Sequence, residues 1–128
     1  MSDATYVLLA ASLTLGTCDP APDCQTDIVA EYAAPGGAVS AVVSHNVCSN
    51  GPSNLEVALA SGATEGRHAH TLLVLDSPNV DGVLRRPRVA VRWDTPTQAM
   101  VRYDSSVRMV YWGGSKVGDI SVRYASLE

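Results

Sequence analysis

Apolar and polar residues alternate with a period of two through most of this chain, in short runs. Ile28, Ala30 and Tyr32 share one side of the run Asp27 to Tyr32, and Val39, Ala41 and Val43 alternate with Ser40 and Ser44. That period belongs to strands with one buried face. Pro35-Gly36-Gly37 lies between the two runs as a turn signal, so together they predict a β-hairpin. Further runs follow at Leu55 to Ala60, His68 to Leu75, Arg88 to Trp93, Ala99 to Tyr103, Val107 to Trp112 and Val117 to Tyr124. Turn-forming clusters separate them: Ser49 to Asn54, Ser61 to Gly66, Asp76 to Gly82, Thr95 to Thr97, Asp104 to Ser106 and Gly113-Gly114. Seven or eight short strands with a turn about every ten residues predict an all-β fold, an antiparallel β-sandwich or open barrel. No segment beyond the N-terminus has a helical period, and no internal repeat is visible.

Within these runs the alternation also assigns faces. Val89, Val91 and Trp93 oppose Arg88 and Arg92. Ala99, Val101 and Tyr103 oppose Met100 and Arg102. Ile120, Val122 and Tyr124 oppose Ser121 and Arg123. Of Tyr111 and Trp112, the same rule predicts one in the core and one at the surface.

One run breaks the pattern. Tyr6 to Leu15 is an apolar run, interrupted only by Ser12 and Thr14, and is followed by Gly16-Thr17-Cys18 and the acidic, proline-rich Asp19 to Cys24. This layout suits an export signal peptide ending at a lipid-acceptor cysteine, with Cys18 the lipidation site. A secretory apolar core needs roughly 7–15 residues, whereas a spanning helix needs about 20. Met1-Ser2-Asp3 lacks the usual basic residue, and Thr17 stands where a smaller residue is usual before the cysteine. The alternative is that residues 5–15 form a strand or helix of a cytosolic or virion structural β-protein. On the export reading, residues 1–23 are leader and tether, and residues 24–128 form one β domain, enough for a single small core.

Three cysteines in an exported chain imply one pair and one cysteine with another fate. Cys24 precedes Pro35 by 11 residues and Cys48 follows Gly37 by 11. The predicted hairpin therefore brings Cys24 and Cys48 opposite each other as a disulfide. Closing such a loop stabilises by roughly 3 kcal/mol in the chain-entropy model.

Charge is uneven. No Lys or Arg precedes Arg67, so residues 1–66 carry a net −7 and residues 67–128 a net +3. The expected arrangement is adjacent strands whose opposite charges meet across a sheet. The overall −4 argues against nucleic acid as a partner, because phosphate binding needs a concentrated basic face. With 46% hydrophobic and 17% charged residues the composition is globular. Phe is absent, so the core leans on Val, Leu, Ala and Ile.

Candidate chemistry is sparse. His68 and His70 share a strand face and are the candidates for a metal site, with His45 or an acid to complete it. Arg85, Arg86 and Arg88 form a basic cluster that suits a phosphate or carboxylate, or a solvated loop guarding a sheet edge. Tyr111 and Trp112 beside a flexible turn suit a ligand groove. There is no nucleophile elbow, phosphate-binding loop, Cys-x-x-Cys or His-Glu-x-x-His motif, so the chain reads as non-enzymatic, with no cofactor.

The chain resembles a group of small bacterial proteins with a lipoprotein-type or membrane-anchoring N-terminal segment and a compact β domain. The resemblance rests on Cys24, Ala34-Pro35-Gly36-Gly37, Ala41-Val42-Val43, Cys48 with its small-residue loop, Arg88 to Trp93, Val101 to Asp104 and Val117 to Tyr124. The loop Ser49-Asn50-Gly51-Pro52 departs from the Gly-Ala-Thr-Thr type of that group. The resemblance implies a β domain in the cell envelope, in the periplasm or lipid-anchored at the outer membrane, and carries no activity. The expected role is binding there, to a protein partner or a small ligand. An inhibitor or immunity-type protein acting on a basic toxin or hydrolase is the alternative, with the acidic first hairpin as its surface.

Overall fold

The computed structural model describes residues 23–61 and 68–127, and these form an all-β fold of two main sheets and one small two-stranded sheet, with no closed barrel. Eight strands have four residues or more: β1 (Cys24–Ala33), β2 (Val39–Cys48), β3 (Ser53–Ser61), β4 (His68–Ser77), β7 (Val89–Thr95), β8 (Gln98–Tyr103), β9 (Met109–Trp112) and β11 (Ile120–Ser126). Three are two-residue bridges: β5 (Asn79–Val80), β6 (Val83–Leu84) and β10 (Lys116–Val117). The N-terminal apolar run and Cys18 lie outside the described residues.

The first sheet has the order β9-β4-β3-β2-β1 and is antiparallel throughout. The second has the order β10-β11-β8-β7. Its central pair, β8 and β11, is parallel, with Ser121 beside Gln98 and Ser126 beside Tyr103. A parallel pair needs a long crossover. Here the chain after Tyr103 crosses to the first sheet as β9 and returns through β10 before β11. That excursion is the departure from a fully antiparallel arrangement.

The core lies between the sheets. Ala41, Val43, Leu55, Val57, Leu73 and Leu75 from the first meet Val91, Val101 and Val122 from the second, all buried. Each fully buried Leu or Val contributes roughly 1.5–3 kcal/mol relative to exposure. The alternation at β7, β8 and β11 holds as predicted, with Trp93, Tyr103 and Tyr124 bordering the core.

Bulges correct the alternation elsewhere. Register shifts between Ile28 and Ala30, so Ala30 and Tyr32 pack against the core while Ile28 is 67% exposed. The three were expected on one side, but the extra residue, Val29, inverts that parity. Val57 pairs with Leu73 and Ala58 with Thr71, making Leu72 the extra residue of β4. Leu72 and Leu73 are consequently both fully buried. The stretch from Asp76 to Gly82, expected as a loop, contains part of the small hairpin β5–β6. It turns on Asp81-Gly82, both at positive φ, the Asp-Gly pair that tight hairpins favour. The last predicted strand is two, split at Gly118-Asp119 so that Val117 pairs with Ile120.

Cys24 and Cys48 are direct cross-strand partners and form a disulfide. The hairpin places them as the spacing predicted.

Candidate functional site

The register of the first sheet fixes what its outer face carries. One rung runs Thr26, Asn46, Asn54, Asp76 across β1 to β4. The next runs Ile28, Ser44, Glu56, Val74, Tyr111 across all five strands. A third holds Glu31, Val42, Ala58 and Thr71. These positions alternate with the core residues of the same strands, so they face away from the second sheet.

The polar side chains on this face are organised. Thr26 Oγ1 donates to Asn46 Oδ1 (2.6 Å), and Asn46 Nδ2 donates to Asn54 Oδ1 (2.8 Å). Both amide oxygens are thereby engaged, leaving the Asn54 amide N–H groups without a protein acceptor among the described residues. Thr71 Oγ1 donates to Glu56 Oε2 at 2.6 Å, holding the carboxylate in place. A groove of about 500 Å³ lies over Asn46, Asn54, Glu56, Thr71 and Val74, with Tyr111 and His70 at its margin. Tyr111 is 49% exposed. The groove thus has amide donors, a carboxylate acceptor and one aromatic ring.

Trp112 lies on the other face of β9 from Tyr111 and meets Tyr124 edge-to-face, with ring centroids 5.9 Å apart. The expectation that one of Tyr111 and Trp112 is core is not met, since Trp112 is itself 52% exposed. The cause is position: β9 is the sheet's outermost strand, with neighbours on one side only. Tyr124 donates its hydroxyl to the Gly114 carbonyl (2.7 Å), and burial pushes its pKa up to about 12.

The histidines are not brought together. His68 and His70 share a parity on β4, while His45 is buried on β2 opposite Leu55, itself opposite Leu75. Five residues of strand separate Leu75 from His70, about 16 Å, so His45 does not complete a site with them. Among the described residues, no group of three His, Cys, Asp or Glu side chains is placed to hold a metal.

His45 Nε2 lies 2.9 Å from Ser77 Oγ, and Ser77 Oγ donates to the Arg85 carbonyl at 2.7 Å. The single hydroxyl proton is committed to that carbonyl, so Nε2 must carry the proton that His45 gives to Ser77. This direction is the reverse of a base activating a serine. Burial lowers the His45 pKa, Arg86 lowers it further, and Asp27 opposes them.

Arg85, Arg86 and Arg88 have local duties. Arg85 N–H donates to the Pro78 carbonyl, and the Arg88 carbonyl accepts from Asp104 N–H. Asp104 is held below the usual carboxylate range, first by hydrogen bonds from the Ser106 hydroxyl and N–H and then by the charges of Arg88 and Arg85. Arg86 and Arg88 also line a 140 Å³ cleft beside β1, floored by Val43 and Leu55.

The acids and the arginines collect on the outer faces of different sheets. Glu31, Glu56 and Asp76 lie on the first, where the three rungs hold no Lys or Arg. Arg92, Arg102 and Arg123 lie on the second. The expected meeting of opposite charges across one sheet is therefore not seen among the described strand pairs: their acidic and basic faces point away from each other. Both ion pairs described, Arg92–Asp94 and Arg123–Asp94, are internal to the second half.

Sequence reasoning missed Asn46, Asn54, Glu56 and Thr71, which belong to no motif. Their only signal was polar positions alternating with core positions on strands whose register was not yet known. No family model matches the chain, and no match is found among curated proteins or solved structures.

Proposed function

We propose that this chain is a non-enzymatic binding protein of the bacterial cell envelope, and that it holds a neutral polyhydroxylated ligand, an envelope glycan, in the groove of the five-stranded sheet. The observation that carries this reading is the Thr26–Asn46–Asn54 amide ladder beside the Thr71-held Glu56. A sugar hydroxyl both donates and accepts, so neighbouring hydroxyls match a free amide N–H and a fixed carboxylate oxygen. The apolar face of a sugar ring matches the exposed ring of Tyr111. Glu56, with Glu31 and Asp76 on the same face, disfavours an anionic ligand.

The envelope part of the reading is supported by the apolar run ending at Cys18 and by the Cys24–Cys48 disulfide, since such bonds persist in oxidising compartments. A second reading, an inhibitor of a basic toxin or hydrolase, is favoured by the acids alone. Glu31 on β1 shares its outer face with Glu56 and Asp76, and such a face steers cationic proteins.

Two experiments test the proposal. Intact mass from the native host should show a diacylglyceryl adduct at Cys18, loss of residues 1–17 and a two-proton deficit for the disulfide; an unprocessed chain with three thiols refutes the envelope assignment. The chain should also co-sediment with insoluble neutral polysaccharide at high salt, and Glu56→Ala or Tyr111→Ala should release it. Capture of lysozyme at low salt with no polysaccharide retention would favour the inhibitor reading instead.

A further inference from the structure

We propose that the outer face of the four-stranded sheet is a contact surface for anionic phospholipid headgroups. The proposal does not depend on the groove, which lies on the opposite sheet. Arg92, Arg102 and Arg123 are far apart in sequence, and strand pairing collects them. Met100 sits between Arg92 on β7 and Arg123 on β11, while Arg102 sits between Ala90 and Ala125 one rung away on that face. Strand spacing puts the Cα atoms of Arg92 and Arg123 about 10 Å apart, with Arg102 about 7 Å along β8 from the Met100 rung. All three arginines are exposed, and Ala90 and Met100 floor a shallow depression of about 230 Å³ between Arg92 and Arg102.

One acid interrupts the face. Asp94, the extra residue of the β7 bulge, pairs with Arg92 (3.0 Å) and Arg123 (2.9 Å). Arg102 has no acidic partner among the described residues. Three guanidinium groups against one carboxylate leave the face net positive, while the opposite outer face carries Glu31, Glu56 and Asp76. An anionic plane therefore attracts one side of the molecule and repels the other, and charge alone fixes which side turns to it.

The layout points to a surface and not to a single phosphate. A discrete anion site converges its donors on one point, usually in a recess. These arginines are instead spread over the solvent face of one sheet, apolar Met100 and Ala90 between them, as an array of headgroups requires. A nucleic-acid backbone needs a longer basic track, and the chain's net charge is −4.

The test uses the full chain with extruded vesicles of phosphatidylcholine alone and of equimolar phosphatidylcholine and phosphatidylglycerol. Any contribution of the apolar N-terminal run is common to both, so the difference reports charge. The expected result is a preference for the anionic vesicles on the order of tenfold at about 0.1 M salt, lost at about 1 M where the screening length falls to roughly 3 Å. Arg102→Glu, which breaks no ion pair, should remove most of that preference with an unchanged thermal midpoint. Arg108→Glu, exposed but off this face, should keep it. The proposal is overturned if Arg102→Glu binds like the parent or if no anionic preference exists. It is also overturned if inorganic phosphate at matched ionic strength abolishes binding, which would make this a discrete anion site, or if a DNA duplex is bound as well as the vesicles.

Discussion

Trp93 donates its indole Nε1–H to the main-chain carbonyl of Tyr32 at 2.9 Å. The bond ties β7, an outer strand of the second sheet, to β1, an outer strand of the first. Both rings also pack against the core, so this one pair closes that side of the sandwich. Trp93→Phe keeps most of the packing and removes the donor. It should lower stability by about 1–2 kcal/mol in urea unfolding. An unchanged midpoint would show that the bond does not help hold the sheets together.

The Cys24–Cys48 bond closes a loop with a sequence separation of 24. Reduction, or replacement of both cysteines by serine, should cost about 3 kcal/mol, chiefly by freeing the unfolded chain. The β1–β2 register is also held by side-chain and ladder bonds, so the fold should survive. A loss below about 1 kcal/mol would count against the entropic origin assigned to the bond.

Gly113 follows β9, and its N–H donates to the Leu72 carbonyl at 2.8 Å. A Cβ there would run into the Thr71 carbonyl oxygen and crowd Leu72 Cα. Backbone cannot yield as a side-chain tip can, so Gly113→Ala should destabilise by about 1–3 kcal/mol. Amide exchange should quicken first in β9, the strand Gly113 fastens. A variant as stable as the parent would mean that the approach of β9 to β4 is looser than described.

His45 sets a pH dependence. Its folded pKa is depressed below the ordinary 6.5 by burial and Arg86, so the unfolded chain binds the proton more readily. Stability should be full above pH 6.5 and should fall as pH drops below it, because protonation favours the unfolded state. Chemical denaturation across that window reads the slope, and His45→Gln should flatten it. An identical slope in the variant would assign the effect to other groups.

Much of the architecture was legible where local pattern decides the outcome. Alternation placed Val91, Val101 and Val122 inside, and the turn at Pro35 to Gly37 put Cys24 opposite Cys48. What depends on distant partners was not legible. Nothing local shows that β9 leaves β8 for the far edge of the first sheet, or that β11 lies parallel to β8. The same limit hid the site. Asn46, Asn54 and Glu56 look like ordinary solvent positions until register sets them side by side, and Arg92, Arg102 and Arg123 become one surface only through that parallel pair. The bulge at Val29 inverted the face that strict alternation assigned to Ile28, and the one at Leu72 put two successive leucines into the core, since a single extra residue leaves no clear mark in composition.

The most direct test of the groove is a two-dimensional NMR titration of the chain with soluble neutral oligosaccharides of β-1,4-linked N-acetylglucosamine, glucose and mannose. The account predicts that at least one of them shifts the side-chain amide resonances of Asn46 and Asn54, moves the Tyr111 ring signals, and leaves the Arg102 region still. Glu56→Ala should abolish those shifts without unfolding the protein. Silence at Asn46 and Asn54 at millimolar concentrations of every sugar, in a folded and disulfide-bonded sample, would contradict glycan binding at this face.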